Sequence, residues 1–146
     1  SLRCTDNVKN EGSFMRLNHL TIIVTDLERS KTFYEALGLE PIVYSPPRYA
    51  RFLVPANDAT FSIEVTPAAK RMGGEQAQIF FECDDLDQRC AELAMAGVTF
   101  EQQPTDMPYL WREARLVDPD GHDIRLYSAG KNRLDPPWRL PRKDQA

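Results

Sequence analysis

The clearest hydrophobic pattern in the chain is an alternation over residues 19–24 that passes directly into a helical repeat. The alternation has a period of two, which predicts a half-buried β-strand. Apolar residues then recur at helical spacing from Leu27 to Leu37, and Gly38 suits the left-handed position that ends a helix. Thr25, followed three residues later by Glu28, has the pattern of a capping box. We therefore expect a strand, a cap at Thr25 and an amphipathic helix in immediate succession.

This strand and helix return 59 residues later in the chain. The chain from Gln78 aligns with the chain from His19 over the whole strand and helix. Further along, the last strand of each unit aligns as well, if two residues are dropped from a loop, and pairs Glu64 with Arg125. Internal repetition of this length predicts one βαβ-rich unit that is built twice.

Turn residues and alternating patterns predict the remaining elements. Pro46-Pro47 and Asn57-Asp58 mark turns in the first unit, and the Asp-Pro-Asp-Gly segment from Asp118 marks one in the second. The first unit is predicted to have strands near residues 42–45, 49–54 and 60–66. The second unit is predicted to have a strand over 77–83, a helix over 86–96 with Cys90 on its buried face, and strands near 98–102, 112–117 and 122–127. His122 follows the second turn, so we expect its side chain to be exposed.

These patterns predict three segments of different character. Residues 1–14 are polar and without period, and we expect a flexible leader there. Residues 15–128 form one domain, with a first module over 15–67 and a second over 77–128. Residues 129–146 form a basic, Pro-rich tail. With Pro136-Pro137 and Pro141, the tail is predicted not to form a helix, so it is either disordered or an extended strap docked by Trp138, and we expect the docked strap.

Length and composition limit the functions that are open. With 146 residues and 42% apolar content, the chain can bury one core. No apolar run reaches the ~20 residues of a membrane span and no signal peptide is apparent, so we expect a cytoplasmic protein without a membrane partner. The three cysteines have neither disulfide nor zinc spacing, which favours reduced thiols.

Charge is distributed unevenly along the chain. Residues 15–128 carry 11 basic and 18 acidic residues, a net charge of −7, whereas residues 129–146 carry five basic and two acidic residues, a net charge of +3. An acidic domain is a poor partner for nucleic acid, and the short basic tail does not reverse that.

Several segments together resemble the vicinal oxygen chelate superfamily, the glyoxalase, bleomycin-resistance and extradiol-dioxygenase group. They are His19 opening a strand, the segment TDLERSKTFYEALGL, the strand SIEV and the closing segment DPDGHDIRLYS. The resemblance covers residues 15–128 and implies an α+β fold, in which two βαβββ modules in one chain form a curved mixed sheet around a cavity. It also implies a homodimer, with the cavity closed by modules of one chain or of two.

The resemblance implies a metal site with one departure. In the family, four side chains converge on a divalent metal; His19 and Glu64 match two of them, and Gln78 is an acceptable oxygen donor at the third position. Arg125 stands where the usual ligand is Glu. A guanidinium is always protonated and has no lone pair to give a cation. Arg125 would therefore pair with Glu64 in the metal's place or face an anionic substrate. The cofactor is a divalent metal (Zn, Ni, Mn or Fe) or none.

Further side chains are candidates for the same cavity. Glu82 shares a strand face with Gln78 and Phe80 and is a candidate catalytic acid or base, with Arg125 as the second catalytic candidate. The candidate substrate-binding residues are Arg125, Phe80, Tyr49, Trp111 and Arg51. The alternative for these residues is structural: aromatic core, rim carboxylate or solvated surface charge.

Three functions stay open at this point. The first is a protein that binds a small anionic molecule at a non-standard metal site. The second is a metal-dependent lyase, isomerase, epimerase or dioxygenase that uses His19, Glu64 and Gln78. The third is an inert relative with a structural or regulatory role. Arg125 is the residue that separates them.

Overall fold

The computed structural model describes residues 15–67 and 77–141, and within them the repeat predicted from the sequence is present. The first unit consists of β1 (His19–Ile23), α1 (Leu27–Ala36), β2 (Glu40–Ser45), β3 (Tyr49–Val54) and β4 (Ala59–Glu64). The second unit consists of β5 (Gln78–Glu82), α2 (Leu86–Met95), β6 (Gln102–Asp106), β7 (Arg112–Val117) and β8 (Asp123–Ser128). A short 3₁₀ helix, Gly130–Asn132, follows. The leader and the Gly73-Gly74 segment lie outside the described residues.

Each unit forms its own four-stranded mixed sheet with the same topology. The strand orders are β1-β4-β3-β2 and β5-β8-β7-β6. The first strand of each unit runs parallel to the fourth, and the other neighbours are antiparallel. The predicted α+β fold with two βαβββ modules is confirmed.

The helix-packed faces of the two sheets form one continuous core. Tyr34 of α1 is fully buried against Phe52 and Phe61 of the first sheet. Ile124 of the second sheet and Cys90 of α2 belong to the same cluster, which confirms that Cys90 lies on the buried helix face. Burial of one apolar face per sheet, at roughly 25 cal/mol per Å², is what holds the two units together.

The cap of α1 differs from the prediction. Asp26, not Thr25, is the N-cap: it has extended backbone angles, and its Oδ1 accepts a hydrogen bond from the backbone N–H of Arg29 at 3.1 Å. The Thr25 hydroxyl instead donates to Oδ1 of Asp120, in the second unit, at 2.6 Å, and accepts from Nη2 of Arg29 at 3.0 Å. The helix ends as predicted, with Gly38 at φ 103°, a conformation that a side chain would strain.

The strand predicted near residues 98–102 is wrong: the strand β6 begins only at Gln102, where the predicted strand ends. Val98 and Phe100 pack against the core without joining the sheet, and β6 starts at Gln102. β6 lies at the edge of the second sheet, and its register shifts between Gln102 and Thr105, on either side of Pro104. A proline is tolerated at an edge because it has no N–H to donate to a neighbouring strand.

Buried polar contacts join the two units at one end, in what we term the inter-unit cluster: Thr25, Tyr34, Asp118, Asp120 and His122. The Tyr34 hydroxyl donates to Oδ2 of Asp118 at 2.6 Å. The Nε2 atom of His122 lies 2.9 Å from the carbonyl oxygen of Ile23, so the prediction that His122 is exposed is wrong. The turn before His122 packs against the first unit, so the histidine is only partly exposed and has a backbone partner there.

The tail does not dock through Trp138 in the described chain. The indole of Trp138 is 59% exposed, because the tail turns back on itself through a hydrogen bond from the backbone N–H of Arg139 to the carbonyl oxygen of Pro136. The first residues of the tail do dock: the carbonyl oxygen of Asn132 accepts from the indole N–H of Trp111 at 3.2 Å. No helix among the described residues is long and apolar enough to cross a membrane.

Candidate functional site

Each sheet has one face covered by a helix and an opposite, polar face that we term its open face. The strand registers place these side chains on the first open face: His19, Thr21, Tyr49, Arg51, Thr60, Ser62 and Glu64. They place these on the second: Gln78, Phe80, Glu82, Glu113, Arg115, Asp123, Arg125 and Tyr127. All candidate residues except Trp111 therefore lie on the face that the alternation predicted, and Trp111 immediately precedes β7.

His19 and Glu64 share the first open face but lie at opposite ends of it. His19 is opposite Thr60 in the parallel register, four residues before Glu64, which corresponds to about 13 Å along the strand. Both ring nitrogens of His19 already have hydroxyl partners, with Nδ1 2.6 Å from Oγ1 of Thr60 and Nε2 3.0 Å from Oγ1 of Thr21. The Glu64 carboxylate has no hydrogen-bond or ion-pair partner among the described residues.

A chain of polar contacts crosses the middle of the first open face. The Tyr49 hydroxyl lies 2.7 Å from Oγ of Ser62, which is fully buried. The Nε–H of Arg51 donates to the same tyrosine hydroxyl at 2.8 Å. In the described chain no carboxylate pairs with Arg51, so its positive charge is available to a ligand. The sequence places Ser62 on the same strand face as Glu64, but Ser62 was not among the residues proposed for the site.

Arg125 is held by carboxylates of its own sheet and does not pair with Glu64. Its Nε and Nη2 donate to the two oxygens of Asp123 at 2.8 and 3.0 Å, and its Nη1 donates to Oε2 of Glu113 at 2.6 Å. Glu113 is fully buried, and its other oxygen accepts from the hydroxyl of Tyr109 at 2.6 Å. We term Arg125, Asp123, Glu113 and Tyr109 the arginine clamp. The expected Arg125–Glu64 pair is therefore wrong for the single chain, because nearer carboxylates satisfy the guanidinium.

The clamp changes the ionisation of its members. The hydrogen bonds from Arg125 hold the pKa of Asp123 below its usual range, and the two carboxylates raise the pKa of the guanidinium further. Burial, together with the hydrogen bond to Glu113, raises the pKa of the Tyr109 hydroxyl to about 12. At neutral pH the clamp is an ion pair of one guanidinium with two carboxylates, closed by a neutral tyrosine.

An aromatic wall stands beside the clamp on the second open face. Trp111 stacks on Tyr127 with ring centroids 4.8 Å apart, and the Phe80 ring meets both edge-on at 5.6 and 5.4 Å. Tyr109 meets Trp111 edge-on at 5.8 Å. The guanidinium of Arg125 lies 5.9 Å from the centroid of the Phe80 ring. Such a wall offers ring edges and faces to a flat ligand.

Gln78 and Glu82 lie at the outer strand of the same face. Both are exposed, and neither side chain has a hydrogen-bond partner among the described residues. Glu82 is opposite Tyr127 in the register. Burial, followed by the nearby Glu82 charge, raises the pKa of the Tyr127 hydroxyl, so that tyrosine is neutral at physiological pH. The assignment of Glu82 as an acid or base stays a prediction.

The single chain does not assemble the metal ligands that the family resemblance implies. Among residues 15–67 and 77–141, no three His, Cys, Asp or Glu side chains lie close enough together to hold a metal ion. No hydrogen bond, ion pair or ring contact in these segments joins His19 or Glu64 to Gln78 or Arg125. The residue at the fourth position is a clamped cation. The donor set as arranged here does not fit a tightly held divalent metal.

Comparisons with known proteins agree on the family and the fold. The family model described as Glyoxalase/Bleomycin resistance protein/Dioxygenase superfamily matches residues 16–126. A superfamily member from Sphaerobacter thermophilus is 27% identical with a TM-score of 0.64, over 78% of this chain and 98% of that one. A protein of the same description from Nocardioides is 21% identical with a TM-score of 0.71, over 94% and 99%.

A third similar structure has a bound metal. It is a mutant of the fosfomycin resistance protein FosX from Listeria monocytogenes, complexed with Mn(II) and 1S,2S-dihydroxypropylphosphonic acid. It is 21% identical, with a TM-score of 0.66, over 83% of this chain and 96% of that one. At this identity the similarity supports the fold alone. Among curated proteins, none matches this chain in sequence.

Proposed function

Because the chain belongs to the Glyoxalase/Bleomycin resistance protein/Dioxygenase superfamily, we propose that it binds a small anionic molecule between its open faces, at a site without a tightly held divalent metal. The observation that carries this proposal is the arginine clamp. Arg125 stands at the position of a metal-binding Glu, and Asp123 and Glu113 already neutralise it. A guanidinium has no lone pair to give a metal ion, and the carboxylates of Asp123 and Glu113 are already engaged by Arg125, so this position supplies no metal ligand.

Arg51 supplies the positive charge that the ligand meets. It is half-buried, it is oriented by the Tyr49 hydroxyl, and no described carboxylate neutralises it. A planar guanidinium binds a carboxylate or phosphonate through two parallel hydrogen bonds. The wall of Phe80, Trp111 and Tyr127 would receive an aromatic or flat apolar part of the same ligand. The ligand class is therefore a small aromatic anion.

Within the described part of one chain, the two open faces share a cavity at one edge, lined by His19 and Thr60 of the first face and by Gln78, Phe80 and Glu82 of the second. No hydrogen bond, ion pair or ring contact there joins the polar row around Arg51 to the aromatic wall around Trp111. A homodimer, in which the first open face of one chain covers the second open face of another, would bring them together. We propose this arrangement, and with it a site in which Arg51 and Trp111 come from different chains.

Ligand binding can be measured as a shift in melting temperature and by calorimetry, with benzoate, its neutral analogue benzamide, and acetate as probes. We expect stabilisation by benzoate and little by the other two, since only benzoate offers both a ring and a charge. Arg51→Gln should abolish the preference for benzoate over benzamide. Lys31→Gln, which removes a positive charge from α1, is the control and should leave it unchanged. Equal binding of benzoate and benzamide would contradict the role of Arg51.

The composite site can be tested by mixing two inactive variants. Arg51→Gln and Trp111→Leu chains should each bind benzoate poorly. In a mixed dimer, one of the two proposed sites combines Arg51 of the Trp111→Leu chain with Trp111 of the Arg51→Gln chain, so that site carries neither change. Mixing should therefore restore one benzoate site per mixed dimer, which is about half a site per chain. No recovery on mixing, with dimers present, would assign each site to one chain.

A metal-dependent enzyme is the second candidate, because the Glu64 carboxylate has no partner among residues 15–67 and 77–141 and lies on the same face as His19. Lyase, isomerase, epimerase or dioxygenase chemistry would then use a metal held by His19, Glu64 and Gln78. Elemental analysis of tag-free protein after reconstitution with Zn, Ni, Mn or ferrous iron separates the two candidates. One metal per chain that is lost in His19→Ala and Glu64→Ala would favour the enzyme and refute the proposal above.

A further inference from the structure

The cavity that the two open faces share at one edge extends between the end of the first unit and the β5–α2 edge of the second. His19, Thr60, Gln78, Phe80 and Glu82 of the open faces line part of it. The described residues enclose about 930 Å³ there. Much of its wall is apolar, formed by these side chains: Leu20, Phe61, Ile79, Phe81 and Leu93. Known ligand and peptide pockets have volumes of roughly 300–1,000 Å³ and walls of this kind.

The rim of this cavity is acidic. Glu82, Asp84, Asp85 and Glu92 line it, against a single guanidinium, that of Arg89. Arg89 is itself engaged, since its Nη2 donates to the carbonyl oxygen of Leu37 at 3.1 Å. Glu82, Asp84 and Asp85 make no ion pair with any described residue. The cavity therefore combines an apolar floor with a rim of unpaired negative charge.

The tail has the opposite character. Over residues 129–141 it carries Lys131, Arg133 and Arg139 against Asp135, a net charge of +2. None of the three cations makes an ion pair in the described chain. Its apolar side chains are exposed: Leu134 is 64%, Trp138 59% and Leu140 81% exposed. A cluster of exposed apolar residues beside basic ones is typical of a segment that docks elsewhere.

We propose that residues 134–140 of one chain dock into the acid-rimmed cavity of a second copy of the same chain. Trp138 would fill the apolar floor, and Arg133 and Arg139 would face Asp84 and Asp85. The tail of the same chain is not the occupant, because Trp138 does not line its own cavity in the structure. The cavity shares Phe80 with the aromatic wall, whereas Arg51, Trp111 and Arg125 do not line it, so variants at those three positions test ligand binding apart from the tail contact.

Sedimentation equilibrium over a range of protein and salt concentrations tests the contact. Trp138→Ala should raise the dissociation constant of the self-association about tenfold or more, as expected for a buried aromatic anchor. Since Trp138 is exposed in the single chain, this change should leave the fold intact, which circular dichroism checks. The control is Met95→Ala, which removes another exposed apolar side chain that does not line the cavity.

Charge reversal tests the rim separately. Asp84→Lys with Asp85→Lys should weaken association to a similar degree and reduce its dependence on salt, whereas Glu101→Lys, an exposed carboxylate outside the cavity, should not. A wild-type chain that is monomeric throughout, or a dimer that none of the tail and rim changes weakens, would overturn the proposal. The second outcome would leave the open-face dimer and its ligand untouched.

Cys83 in the cavity wall provides a direct positional readout. In a Cys4→Ser background, Leu140→Cys should form a disulfide with Cys83 under mild oxidation. Because burial raises the pKa of the Cys83 thiol, the reaction should be run at mildly alkaline pH. Mixing isotopically heavy and light chains identifies the linkage by mass spectrometry. Heavy–light peptides joining position 140 to Cys83 support the proposal; linkage confined to one chain, or none above that of a Met95→Cys control, refutes it.

Discussion

Replacing Arg125 by leucine should destabilise the fold strongly, because it leaves two buried carboxylates without their cation. Glu113 is fully buried and Asp123 is 4% exposed. Three hydrogen bonds between charged groups would be lost, at 2.6, 2.8 and 3.0 Å. Removing one partner of a buried ion pair costs about 3–5 kcal/mol. For a chain of this size, we expect a fall in melting temperature of roughly 6–20 °C.

The stability lost in Arg125→Leu should depend on pH. In the wild type, Arg125 lowers the pKa of Asp123 in the folded state. The ionised Asp123 therefore stabilises the fold above its unfolded pKa, and this stability is lost as the pH falls through its folded pKa. In Arg125→Leu this cation is absent, and burial should instead raise the pKa of Asp123. The cost of burying its charge is then relieved by protonation. The difference in unfolding free energy should therefore be smaller at pH 5 than at pH 8.

Urea denaturation of both proteins from pH 5 to pH 8, at one protein concentration, measures this difference. Arg115→Leu is the matched control: it removes a guanidinium from the same sheet that lies 3.5 Å from Asp123 but is 44% exposed. An exposed pair of this kind contributes less than about 1 kcal/mol. A loss in Arg125→Leu no larger than in Arg115→Leu, or one that is constant with pH, would refute the assignment of the clamp.

Two further predictions concern the elements that frame the site. Tyr34→Phe should cost roughly 1.5–3 kcal/mol, since it removes a buried hydrogen bond to the Asp118 carboxylate, whereas Tyr44→Phe at an exposed hydroxyl should not change the urea midpoint measurably. Asp26→Ala should lower the unfolding free energy by about 1 kcal/mol, because it removes the cap of α1. Asp85→Ala should lower it little, because Asp85 makes no side-chain cap bond. Equal effects of the two changes in thermal unfolding would contradict this difference.

Periodicity was sufficient to predict the repeated unit, because each strand and helix buries one face and the sequence records that face locally. The alternation of residues 19–24 and of 78–82 is set by the sheet itself, and it placed His19, Gln78 and Phe80 on the correct face. The misplaced strand near 98–102 shows that local alternation alone does not identify a strand. Val98 and Phe100 alternate as in a strand, yet they fill the core from an irregular segment, and no local pattern separates the two arrangements.

Partners could not be predicted in the same way, since they depend on register across strands. Arg125 pairs with Glu113 because β7 and β8 align Glu113 with Tyr127 and Arg115 with Arg125, which brings position 113 within reach of position 125. The spacing of Asp123 and Arg125, two residues apart on one strand, was a local signal for half of the clamp. Thr25 and His122 are the same case: each sits in a turn whose partner lies in the other unit.

The balance of charge on the open faces indicates where ligand selectivity resides. On the second face, Arg115 and Arg125 meet Glu113 and Asp123, so these four groups neutralise one another and offer no net attraction to an anion. On the first face, Arg51 makes a hydrogen bond and a ring contact, both with Tyr49, and no ion pair in the described chain. An ion pair that is already satisfied gains little from a ligand, whereas a half-buried, unpaired guanidinium gains a full partner. In the proposed site, selectivity for an anion is therefore expected to depend on Arg51 and not on the clamped Arg125.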